Sequence, residues 1–271
     1  MGHIRLKPSK EFIVKIDPKE LRNIAVPEDS KLFIQKYITS QNLLDDDNLD
    51  IMIVLEDKIT FGFDYLHGKT KRLVIEINPV TIFYSNAVMS FGLLQQYRHS
   101  LLSQSQEVSQ IGKTNTPIDL SHAGIYFQLA INCIINLQAT LESFANRIIP
   151  EDYHYLDKKG NPVIPTVTYK LYNAVPKIKN IDFQQRKHRK YNLSIDKLIK
   201  LRNDIIHLKP SGETNTGYKG VYRDLLNFDY TKAKLAVKTF INFYEPNLIE
   251  ECSCGNDYYF HPAKKNTQNG L

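Results

Sequence analysis

The chain changes its hydrophobic rhythm near Pro79. Before it, the segments "EFIVKID" (11–17), "LDIMIVLE" (49–56), "KITFGFDYL" (58–66) and "KRLVIEINP" (71–79) are rich in Ile, Val and Phe and partly alternate with period two. That pattern predicts strands with one covered face. Asp57 is placed to turn the second run into the third. His67-Gly68-Lys69 turns the third into the fourth, with Gly68 supplying the permissive backbone. The expectation is a small antiparallel meander, with a short helix over "EDSKLFIQKYI" (28–38).

After Pro79 the spacing becomes helical. In the 81–108 segment Phe83, Ala87, Phe91, Leu94, Tyr97 and Leu101 recur at three- and four-residue intervals. "GKTNTPIDLS" (112–121) breaks the pattern with turn residues. A second long helix is predicted over 122–149, capped by Ser121 and stopped by Pro150, with a stripe of Ile125, Leu129, Ile131, Ile135, Leu137, Leu141, Phe144 and Ile148. A loop (151–165), a short helix (166–175) and a basic stretch (184–192) follow. Helices are then expected from about Ser194 to Leu208 and over 230–247, the first stopped by Pro210 and the last by Pro246. The fold class is therefore α+β: a predominantly helical region over 80–250, after a small antiparallel β-region over 1–79 and before a tail over 251–271.

Composition narrows the setting. The 271 residues are 42% hydrophobic, enough for a real core. No apolar run approaches the ~18–20 residues that cross a bilayer, and the N-terminus lacks a secretory-type apolar segment. Cys133, Cys252 and Cys254 are too few for a disulfide framework and suit a reducing compartment. No membrane association and a cytoplasmic location are expected. The net charge of +6 is compatible with a polyanionic partner.

The helix "LIKLRNDIIHL" (198–208) carries the candidate chemistry. On a helical wheel Ile195, Leu198, Ile199, Leu201, Ile205, Ile206 and Leu208 share one apolar arc, and Arg202 falls inside it. Asn203 lies at its edge, with His207 four residues on and stacked over it. Arg202 and His207 are roughly 140° apart around the axis, so they share no face of an isolated helix; either the long arginine wraps toward His207 or a second copy of the helix completes the site. A guanidinium cannot escape burial by losing its proton, so an arginine in an apolar arc calls for a partner or a cleft. The trio suits phosphodiester transesterification. Histidine moves protons near neutral pH, arginine holds a phosphate bidentately, and an amide orients. With a ribose 2′-OH as nucleophile the substrate is RNA, and no metal or other cofactor is needed.

Arg202-Asn203-Asp204-Ile205-Ile206-His207 resembles the Arg-polar-x-x-x-His signature of the HEPN superfamily (higher eukaryotes and prokaryotes nucleotide-binding domains). The resemblance is specific over 198–208, which follows two long helices and precedes one more, as in that family. It implies a helical up-and-down bundle that forms a homodimer, with both protomers' motifs lining one cleft. It also implies metal-independent endoribonuclease activity, with Arg202, Asn203 and His207 catalytic. Such proteins often act as toxins or in defence against phage and other invaders, so an antitoxin or regulatory partner is a further expectation. The alternative is a non-catalytic helical module that binds RNA, a nucleotide or a protein.

Weaker candidates surround the motif. Arg186, Lys187, Arg189 and Lys190 form a basic run without an acidic residue, suited to RNA phosphates. Glu142 and Asn146 share one face of the second long helix and are further substrate-binding candidates, either of which could pair with Arg202. "CSCG" (252–255) with His261 lacks the paired spacing of structural zinc sites, so no metal is expected. No phosphate-cradling glycine loop, His-Glu-x-x-His or G-x-S-x-G motif is present.

Overall fold

The computed structural model describes residues 3–13, 25–40, 51–55, 58–105, 107–111, 120–157, 159–184, 186–208 and 217–254. Asp57, residues 14–17, most of the 112–121 break, Pro210 with the loop after it, and His261 lie outside the described residues. The chain divides into two compact units: Leu6–Asn78, and Met1–Arg5 together with Pro79–Leu271.

Among its described residues the Leu6–Asn78 unit is an antiparallel sheet with one helix. Its strands are β1 (Glu11–Ile13), β2 (Ile51–Leu55), β3 (Lys58–His67) and β4 (Thr70–Ile75). β3 is the hub. It pairs with β2 from Ile51↔Gly62 to Leu55↔Lys58, with β1 through Lys58–Thr60, and with β4 through Gly62–His67. Gly68 takes φ 62 in the β3–β4 turn, while Lys69 keeps a negative φ. A positive φ at the first turn position alone is the type II′ pattern, which suits strand twist. A Cβ on Gly62 would stand 2.4 Å from the Val74 carbonyl oxygen and 2.8 Å from Ile53 Cδ1, so glycine is needed there. Helix α1 (Glu28–Thr39) buries no side chain and is tied to the sheet by polar contacts. Tyr37 donates to Asp64 at 2.7 Å, and the Lys71 ammonium lies 3.7 Å above the Tyr37 ring. Burial and the Asp64 carboxylate push the Tyr37 hydroxyl up to about 12.

The other unit is helical: α2 (Pro79–Gln104), α3 (Leu120–Ile148), α4 (167–179), α5 (Arg189–Ile206), α6 (Lys219–Asn227) and α7 (Tyr230–Tyr244). α3 is central and packs against all the others. It is also the one helix among the described residues that is long and apolar enough to cross a membrane, with mean hydropathy 1.2 over its best window. The expectation that no segment approaches this length is corrected to that extent. A helix at the centre of a bundle must be apolar on more than one side. Its buried face holds Tyr126, Ala130, Cys133, Ile134, Leu137, Leu141 and Phe144, so the first half of the predicted stripe is rotated by about one position. α2 likewise buries Tyr84, Ala87, Val88, Phe91 and Leu94, while Phe83 is only half-buried. α3 begins at Leu120, which places Ser121 inside the helix rather than at its cap.

With no tryptophan, phenylalanine and tyrosine fill the core. Phe183 meets Phe240 and Phe243 edge-on, with ring centroids 5.0 and 5.3 Å apart, a favoured aromatic geometry. Tyr126 and Tyr230 both donate to the Leu225 carbonyl, at 3.2 and 2.7 Å, and so fix α6 against α3 and α7.

α4 contains one wide turn. Lys170–Ala174 is π-helical, and the Val175 N–H reaches back to the Lys170 carbonyl. Pro176 follows, in the helix's second α-segment. A proline there offers no N–H and would crowd the carbonyl four residues earlier, and the wider turn makes room for the ring. Asn180 closes the helix with φ 52. Within this unit residues 3–5 lie beside residues 250–252: Ile4 bridges Glu251, Arg5 N–H donates to the Glu250 carbonyl at 2.9 Å, and Cys252 N–H donates to the His3 carbonyl at 2.7 Å.

Candidate active site

The candidate residues sit on α5, which begins earlier than the sequence suggests. A 3₁₀ turn (Arg186–His188) leads into helix at Arg189. Ser194 therefore lies inside the helix, where its hydroxyl donates to the Lys190 carbonyl at 3.0 Å instead of capping. Ile195, Leu198, Ile199, Leu201 and Ile205 are buried against α3 and α7, as the apolar arc requires. Ile206 and Leu208 are 48% and 38% exposed, because the last turn runs past the edge of the core.

Arg202 is half-buried, while Asn203 and His207 are exposed. Arg202 Nη1 donates to Asn203 Oδ1 at 3.3 Å. Arg202 Nε is shut off from water and has no hydrogen-bond partner. His207 is the C-cap, and its backbone N–H donates to the Asn203 carbonyl at 3.0 Å. The imidazole thus stands at the open end of α5, one turn beyond the amide. No hydrogen bond joins Arg202 to His207 among the described residues, in keeping with their angular separation.

Glu142 and Asn146 do not partner Arg202, which corrects that expectation. Gln138 Nε2 donates to Glu142 at 3.0 Å, and Lys170 Nζ donates to Asn146 Oδ1 at 2.8 Å. Asn146 is thereby committed to α4 rather than α5. The basic run stands at the opposite end of α5 from His207. Lys187, Arg189 and Lys190 are exposed, but the twelve residues from Lys190 to Arg202 span about 18 Å of helix axis. Arg186 opens the 3₁₀ turn. His188, within that run, turns inward. It stacks on Phe183 at 4.3 Å and meets Phe243 edge-on, leaving both ring nitrogens buried without partners. Burial, with the Lys187 charge beside it, holds its pKa below the usual histidine value.

A cavity of about 340 Å³ opens between α5, α6 and α7, lined in part by Ser194, Lys197, Lys200, Asp204, Asp229 and Lys232. None of Arg202, Asn203 and His207 lines it. Its lysines face an equal number of aspartates, so charge alone does not make it an anion site. No protein-family model, curated protein or solved structure matches this chain.

Proposed function

We propose that the helical unit is a metal-independent endoribonuclease of HEPN type, acting as a homodimer in a toxin or invader-defence role. The observation that carries the reading is the arrangement on α5. The Asn203 amide is in contact with the Arg202 guanidinium, and His207 stands exposed at the open helix end one turn further on. Among the described residues no ion pair joins Arg202 to Glu142, the contact that would make Arg202 purely structural, and Glu142 instead accepts from Gln138.

In this reading His207 accepts the 2′-OH proton. The freed O2′ attacks the adjacent phosphorus, and the P–O5′ bond breaks. The leaving O5′ takes a proton, giving a 2′,3′-cyclic phosphate and a 5′-OH. Arg202 offsets charge on the phosphoryl oxygens, and Asn203 holds the guanidinium in place. Because Arg202 and His207 face apart on one helix, the working site pairs Arg202 of one protomer with His207 of the other.

The test is cleavage of RNA by purified protein in the presence of EDTA, with folding followed by circular dichroism. Wild type is expected to cleave and leave cyclic or 3′-phosphate ends. His207→Ala is expected to lose cleavage and to change stability by less than about 0.5 kcal/mol, since the side chain is exposed. Equal cleavage by His207→Ala would sink the assignment. RNA that is bound but never cut would favour the non-catalytic reading.

A further inference from the structure

Residues far apart in sequence, His3 and the 252–254 segment, form a constellation that no local motif predicts. His3 is 4% exposed, and Cys252 and Cys254 approach it from the C-terminal side. One ligand atom from each lies within 4.8 Å of the other two. His3 Nε2 is 3.6 Å from Cys254 Sγ, and Nδ1 is 3.9 Å away. In a tetrahedral zinc centre, Zn–S of ~2.3 Å and Zn–N of ~2.0 Å place nitrogen and sulfur about 3.5 Å apart. The His3–Cys254 distance is already that of a coordination edge. The scaffold beneath is backbone-built: the Ile4–Glu251 bridge and the bond from Cys252 N–H to the His3 carbonyl fix the register of the two segments.

We propose that His3, Cys252 and Cys254 bind a zinc ion that clasps the N-terminal segment to the end of the helical unit. Two sulfurs and one imidazole form a borderline-soft donor set that suits zinc and not magnesium or calcium. Binding releases two thiol protons, so two thiolates balance the doubly charged ion and leave a neutral centre compatible with a half-buried position. The fourth tetrahedral position is taken by water or one more ligand. The clasp is separate from the Arg202–His207 chemistry and does not depend on it.

The test uses the full chain carrying a tag without histidines, purified under reducing conditions. Titration with Co²⁺ is expected to give tetrahedral d–d absorption and a thiolate-to-cobalt charge-transfer band in the near ultraviolet, saturating at one equivalent. Zn²⁺ is expected to displace the cobalt and abolish both signals. Cys252→Ser and Cys254→Ser should each lose the charge-transfer intensity in part, the double variant entirely, and His3→Ala should weaken binding at least tenfold. Wild type with its thiols free that gives no charge-transfer band would overturn the proposal, whether or not the variants fold. So would a double cysteine variant that binds as wild type does.

Discussion

Arg202 is the residue at which the apolar pattern and the chemistry disagree. Its wheel position lies in the buried arc of α5, yet it carries a permanent charge and keeps Nε buried without an acceptor. A half-buried polar group left unpaired costs free energy, so an arginine retained there for fold alone is a poor choice. Arg202→Leu is accordingly expected to leave stability unchanged or raise it by up to about 1 kcal/mol in urea unfolding, while RNA cleavage is lost. A large destabilisation instead would mean that Arg202 is a structural residue. His188 offers a contrasting case. Its folded pKa lies below the ordinary value, so the unfolded chain takes up the proton first as pH falls. Its contribution to stability is complete above about pH 6.5 and declines below it. Urea midpoints measured across that range should fall less steeply for His188→Phe than for wild type. Histidine and cysteine also show where the sequence stops being informative. Cys252 and Cys254 look isolated because the third ligand is His3, which only the fold brings beside them.

At the scale of elements, long periodic segments were legible and their ends less so. Strands β2, β3 and β4 and helices α2, α3, α5 and α7 all lie where the patterns predict. The start of α5 was misplaced because Ser194 is a good cap by residue type, whereas the Arg186–His188 turn opens the helix with His188 packed on aromatics. α6 was missed altogether. Its nine residues are too short for a clear period, and its anchor is the Leu225 carbonyl that receives two tyrosine hydroxyls. The helix faces were read slightly out of phase because Tyr84, Tyr126 and Cys133 are buried as readily as aliphatic residues. Two substitutions test the packing of the separate units. Phe144→Ala removes a fully buried ring and should cost about 3–5 kcal/mol in thermal unfolding. Gly62→Ala forces a Cβ onto the Val74 carbonyl and should cost roughly 1–3 kcal/mol, seen as faster hydrogen exchange in β2–β4 with the helical unit unaffected.

For the whole molecule, the angle between Arg202 and His207 becomes a statement about stoichiometry. If each site draws Arg202 from one copy and His207 from the other, two inactive variants should complement. Random mixing of Arg202→Ala with His207→Ala gives half heterodimers, each with one intact site of two, so recovery should approach about a quarter of wild-type cleavage. Mixtures that remain inactive while forming heterodimers would place both groups in one protomer. The division at Asn78 leaves the sheet unit with little core of its own among the described residues. Phe63, Tyr65, Leu73 and Val74 are all at least 39% exposed, although β3 and β4 pair with each other from Gly62↔Ile75 to His67↔Thr70.

The π-turn of α4 is a one-residue insertion wound into a helix. Deleting a single residue from 170–174 would close the wide turn into a regular α-turn, leaving the residues beyond it near their present phase but removing the room made for the Pro176 ring. Pro176 would then press on the carbonyl of a regular turn. Within this helix, chain length is constrained more tightly than residue identity. Point substitutions on its outer face should be tolerated in library selections, whereas in-frame single-codon deletions should not.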